Sequence, residues 1–137
     1  LDGTVRIWTK NDNNYKNKIL KISDYAVLKL IIYNELIIIG TWNGTIEIWN
    51  KNKRIFSMKT HQTYVSGMKL INNFLITSGN NNQVKIWKIN KQPEINIELI
   101  NIINNDKVSC LDVTDKELVT CTIDFKINYY NFSFNIY

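Results

Sequence analysis

The chain repeats itself. Four stretches of its 137 residues align without gaps: Asp2-Gly3-Thr4-Val5-Arg6-Ile7-Trp8, Asn43-Gly44-Thr45-Ile46-Glu47-Ile48-Trp49, Asn81-Asn82-Gln83-Val84-Lys85-Ile86-Trp87 and Asp124-Phe125-Lys126-Ile127-Asn128-Tyr129-Tyr130. Their final aromatics are 41, 38 and 43 residues apart. A period of this size constrains the fold more than any other feature, because such a unit buries its apolar faces only against its neighbours. Each stretch opens with Asp or Asn, residues that tolerate positive φ and cap their own backbone in a tight turn. Each then alternates, with Val5/Ile7, Ile46/Ile48, Val84/Ile86 and Ile127/Tyr129 on one face, the period of a half-buried strand.

Composition removes several other classes. Hydrophobic residues are 45% and charged residues 21% of the chain, as in ordinary globular domains. Apolar runs such as Leu36 to Ile39 fall far short of the ~20 residues of a membrane-spanning helix. Two cysteines are too few for a disulfide framework, and one His excludes most His/Cys metal sites. Ile, Asn and Lys supply 59 of the 137 residues. All three are favoured by A- and T-rich codons, so Asn and Lys carry functional weight only where their positions do.

The repeated stretches resemble WD40 repeats, the blades of a β-propeller, and the resemblance covers essentially the whole chain. Gly40-Thr41-Trp42-Asn43-Gly44-Thr45-Ile46-Glu47-Ile48-Trp49 is close to the family signature at the turn between a blade's second and third strands. The expected fold is therefore all-β: a WD40-type propeller fragment of three four-stranded blades plus the last two strands of a preceding blade. In this register 1–22 is half a blade, and 23–59, 60–103 and 104–137 are one blade each. Strands are expected at Thr4 to Trp8 and Tyr15 to Ile22; then at Tyr25 to Leu30, Glu35 to Gly40, Thr45 to Trp49 and Arg54 to Met58. The next blade is expected to use Tyr64 to Leu70, Phe74 to Ser78, Val84 to Ile89 and Ile95 to Ile100. The last is expected to use Lys107 to Val113, Glu117 to Thr122, Lys126 to Tyr130 and Phe132 to Ile136. A closed propeller needs roughly four to eight blades, so the chain is expected to be part of a longer protein and, by itself, to be unstable or to self-associate.

In the family a blade is often braced by His before the first strand, Ser or Thr late in the second, Asp in the turn and Trp in the third. The resemblance assigns this structural role to Thr41, Asn43 and Trp49 in one blade, with Ser23 at the His position. It assigns it to His61, Asn81 and Trp87 in the next, with Gly79 replacing the hydroxyl, and to Thr122 and Asp124 in the last, with Asn104 for His and Tyr130 for Trp. On that register no blade holds the complete set. His61 has no acid or nucleophile among its sequence neighbours, Cys110 and Cys121 lack C-x-x-C spacing, and the five glycines are scattered singly. No catalytic residue, metal site or cofactor is expected.

The resemblance implies partner binding on the face carrying the second-to-third strand turns. Its contact positions fall on Ala26, Leu28, Tyr64, Ser66, Lys107 and Ser109, and on Leu1, Trp42, Asn80 and Ile123 before the turn residues. Trp42 stands out, because the strand pattern does not require it and Trp is enriched at interface hot spots. The alternative is that Trp42 packs on a neighbouring blade's loop. Charge is uneven: residues 1–91 carry a net +9 and residues 92–137 a net −4. Most of the excess falls in third-to-fourth strand connections, including Lys51, Lys53 and Arg54, where an acidic partner would be attracted on the opposite face. No aromatic platform interleaves these cations, which argues against nucleic acid. The expected function is a non-enzymatic, intracellular protein-interaction scaffold, cytoplasmic or nuclear, binding other proteins or peptides. The alternatives are the substrate-reading propeller of an F-box/WD ubiquitin-ligase adaptor, or a targeting domain of a larger enzyme such as a kinase.

Overall fold

The computed structural model describes residues 2–131, which form thirteen strands and no helix. The expected strand at Phe132 to Ile136 and the contact position Leu1 lie outside the described residues. Four antiparallel sheets follow one another along the chain. The first is a hairpin, β1 (Thr4–Asn11) and β2 (Asn14–Lys21). The second runs through β3 (Val27–Tyr33), β4 (Leu36–Thr41), β5 (Thr45–Asn50) and β6 (Lys53–Lys59). The third uses β7 (Val65–Ile71), β8 (Phe74–Gly79), β9 (Gln83–Asn90) and β10 (Asn96–Asn104), and the last β11 (Val108–Val113), β12 (Glu117–Thr122) and β13 (Ile127–Asn131).

The period-two pattern decides which sheet each side chain meets. Ile38, Ile46 and Ile48 of the second sheet pack against Val65, Met68, Leu75 and Trp87 of the third. The alternate residues Ile37, Ile39 and Trp49 face the other way, onto Val5, Leu20 and Ile22 at the first hairpin. In the third sheet, Ile76, Val84 and Ile86 face Val108, Leu111 and Leu118 of the fourth. The sheets thus stack face to face, each interior one buried on both sides. The edge strands β3, β7 and β11 come together where the sheets converge.

Turn chemistry fixes the stacking. Gly3, Gly44, Asn82 and Phe125, at one repeat position, all have positive φ, from 60° to 81°. At Gly44 the backbone turns so tightly that a Cβ would lie 1.9 Å from the Thr63 carbonyl oxygen, so only Gly fits. The Gly44 carbonyl accepts the backbone N–H groups of Thr60 and His61, and the Asn82 carbonyl accepts that of Asn105. The Gly44 and Asn82 turns therefore hold the loops leading into the third and fourth sheets.

Candidate partner-binding surface

The edge strands β3, β7 and β11 share a local irregularity. Val27 pairs with Thr41 and Lys29 with Gly40, leaving Leu28 as an extra residue in the ladder. In the same way Ser66 is extra between Val65 and Gly67, and Ser109 between Val108 and Cys110. A β-bulge re-aims the side chain it carries and increases local twist. All three bulged residues line one open depression of about 370 Å³, together with Lys29, Trp42, Tyr64, Val65 and Ile123.

Backbone hydrogen bonds hold the rim. The Trp42 N–H donates to the Ala26 carbonyl at 2.9 Å and the Ile123 N–H to the Lys107 carbonyl at 3.1 Å. Trp42 stacks on Tyr64 from the next sheet's loop, with ring centroids 5.2 Å apart and planes 16° from parallel. It nonetheless keeps 57% of its surface exposed. The indole thus packs on a neighbouring loop, as the alternative expectation has it, and still presents an open aromatic face.

Of the contact positions expected from sequence, Leu28, Trp42, Tyr64, Ser66, Ser109 and Ile123 come together at this depression. Lys107 lines an adjoining depression with Asn82, Asp106, Ile123 and Asp124, and neither depression includes Asn80 or Ala26. Lys29 was missed. Strict alternation puts it on the opposite side of the strand from Leu28, and only the bulge, which no residue type announces, brings both to one cavity.

The bracing register needs correction. In the third sheet the hydrogen-bond set is complete, and its hydroxyl is Thr77, not a residue at position 79. The Trp87 indole N–H donates to Thr77 Oγ1 at 2.9 Å, and Thr77 Oγ1 lies 2.9 Å from His61 Nε2. Indole is donor-only, so the Thr77 proton is left for Nε2, and Nδ1–H then donates to Asn81 Oδ1 at 3.1 Å. Gly79 does not replace a hydroxyl; it makes room, since a Cβ there would sit 2.7 Å from the His61 ring. Burial depresses the His61 pKa to about 4, assisted by the Lys85 charge and opposed by the bond to Asn81.

Thr41 and Thr122 sit two residues later and serve their own turns. The Thr41 hydroxyl bonds Asn43 Oδ1 at 2.6 Å and accepts the Thr45 N–H, and Thr122 does the same with Asp124 and Lys126. In the second sheet Ile39 occupies the Thr77 position, so Trp49 turns its N–H to Glu47 at 2.9 Å instead. In the last sheet the His position falls on Asn105, not Asn104: its side chain donates to Thr120 Oγ1 at 2.9 Å. On the opposite face Arg54 pairs with the buried Glu47 at 3.5 Å, so one of the three cations expected to attract a partner there is already engaged. Among the described residues no cluster of His, Cys, Asp and Glu is arranged to hold a metal ion.

Residues 52–88 match the WD40 model, described as a WD domain, G-beta repeat. The chain is 27% identical over 136 residues to an F-box/WD repeat-containing protein A-like protein of Dictyostelium discoideum, matching 96% of this chain but 11% of that much longer relative. Solved structures that resemble the fold include the following two. One is the β-propeller domain of Myceliophteria thermophila Cps50 (Swd1), with TM-score 0.81 and 9% identity, covering 96% of this chain and 52% of that one. The other is the computationally designed Ika4 protein, with TM-score 0.77 and 17% identity, covering 95% of this chain and 80% of that one. Repeat period, face-to-face sheets and these likenesses agree: residues 52–88 match a WD40 repeat, and the chain folds as blades of a β-propeller.

Proposed function

We propose that the chain is a non-enzymatic, intracellular protein-interaction module that engages a protein or peptide at the depression ringed by Trp42, Tyr64, Leu28, Ser66, Ser109 and Ile123. The observation that carries this reading is the convergence of three bulged edge-strand residues and an exposed, stacked Trp on one cavity. A half-exposed indole pre-positioned by a second ring is a rigid apolar anchor, the kind of side chain that dominates binding energy at interface centres. Asn80 and Lys107 belong to the surrounding rim in this reading. His61, Asn81 and Trp87 are structural, as are the turn residues Thr41, Asn43, Thr122 and Asp124.

One observation favours a more specific role. The much longer relative is named for both an F-box and WD repeats, so a substrate-reading propeller of a ubiquitin-ligase adaptor is the second reading. The test pairs thermal melts with pull-downs from cell extract, using wild type and Trp42→Ala. The expected result is a stability loss of about 1 kcal/mol, from the lost ring stack. Partner recovery should fall by about thirtyfold in affinity, equivalent to ~2 kcal/mol. An undiminished set of captured proteins would place the interface elsewhere.

A further inference from the structure

The charge around the depression is one-sided. Lys29 is the charged residue lining it, and among the described residues no carboxylate pairs with Lys29. The contrast within the same group of edge strands is direct: Lys69 of β7 has Asp112 of β11 at 3.3 Å. The carboxylates at the adjoining depression are occupied, because Lys126 Nζ lies 3.0 Å from Asp106 and 2.7 Å from Asp124. Hydrogen bonds from Lys126 and Thr122 hold the Asp124 carboxyl below its usual range. Asp2 is turned onto the Thr4 backbone and hydroxyl, and Asp24 does not line the cavity. Lys107, at the next depression, adds a second cation without an acidic partner among the described residues.

An open indole face alone would accept a cationic side chain as readily as an apolar one, through the ring quadrupole. Lys29 in the same cavity opposes that choice by like-charge repulsion and favours an anion, strengthened by partial withdrawal from water. The stacked pair meanwhile offers a platform on which a further ring or long apolar side chain extends the stack.

Building on the reading of this depression as the partner surface, we propose that it takes an acidic peptide segment. In this arrangement an aromatic or long apolar side chain lies against Trp42 and Tyr64, and a flanking carboxylate faces Lys29.

Fluorescence polarisation tests this with three labelled nonapeptides: a central Phe flanked by Glu, the same peptide with Lys for Glu, and the same with Ala for Phe. They are titrated against wild type, Trp42→Ala, Lys29→Met and Lys29→Gln, each variant checked by its melt. The Glu/Phe peptide is expected to bind wild type, to lose about thirtyfold with Trp42→Ala and about tenfold with either Lys29 variant, and to weaken as salt rises. Equal binding of the Lys peptide, or unchanged binding to both Lys29 variants, overturns the acidic specificity while a Trp42 effect leaves the surface itself standing. Binding indifferent to Trp42 removes the surface as well. A phosphoserine-for-Glu peptide binding more than tenfold tighter would replace the carboxylate with a phosphate, and failure of all the peptides to bind overturns the proposal.

Discussion

The second and third sheets share a strand pattern but are held by different chemistry. In the third, a neutral hydrogen-bond chain runs from Asn81 through His61 and Thr77 to Trp87, almost wholly out of solvent. In the second, Ile39 and Ser23 stand where Thr77 and His61 would be, and the Trp49 indole is satisfied by Glu47, itself paired with Arg54. A neutral chain demands several residues at once, but each link is protected from salt. A carboxylate solves the indole's donor problem with one residue, yet buries a charge that needs its own partner. In these two sheets the Trp is the fixed point, and its hydrogen-bond acceptor is negotiable.

The largest expected effect comes from the indoles themselves. Trp87→Ala should lower unfolding free energy by about 4 kcal/mol, and Trp49→Ala, only partly buried, by about half as much. Urea unfolding followed by far-UV circular dichroism measures both, and equal losses would break the distinction between the sheets. Next comes acidity. The folded pKa of His61, about 4, lies below its ordinary 6.5, so between these values the unfolded chain binds a proton that the folded chain excludes. Stability from this group is complete above pH 6.5 and falls as pH drops toward 4, by on the order of 3 kcal/mol. The difference between wild type and His61→Asn across that window isolates it; parallel curves would show that the folded ring takes up a proton as readily as the unfolded one. The smallest effect is at the second sheet's ion pair. Arg54→Met should cost about 1 kcal/mol, since Arg54 is half exposed while Glu47 is not. Raising salt should reduce the difference between this variant and wild type, and should leave a Thr77→Val variant as destabilised as before.

Much of this was legible in the chain. The repeat period and the alternation of Val84/Ile86 or Ile46/Ile48 located the strands to within a few residues, because each interior strand must feed two cores. The bracing hydroxyl lies two positions from where the sequence pattern puts it, for an equally physical reason. Thr41 and Thr122 carry hydroxyls next to turn residues, and nothing in a one-dimensional pattern separates a hydroxyl that closes its own turn from one facing the next sheet. Gly79 reads in the sequence as a replaced hydroxyl, although its absent Cβ is what admits the His61 ring. The bulges were invisible because Leu28, Ser66 and Ser109 share no side-chain property. The abundance of Asn meant little, yet Asn34, Asn72 and Asn82 fall where φ is positive, where Asn is well tolerated.

The aligned bulges bear on how such a chain stays in solution. β3, β7 and β11 are sheet edges, and a straight edge offers its free backbone groups as a template for strands of other molecules. An extra residue at Leu28, Ser66 and Ser109 breaks the hydrogen-bond spacing of that template at the same height in all three strands. The device that aims side chains into the depression thereby also guards these three edges against cross-molecular pairing.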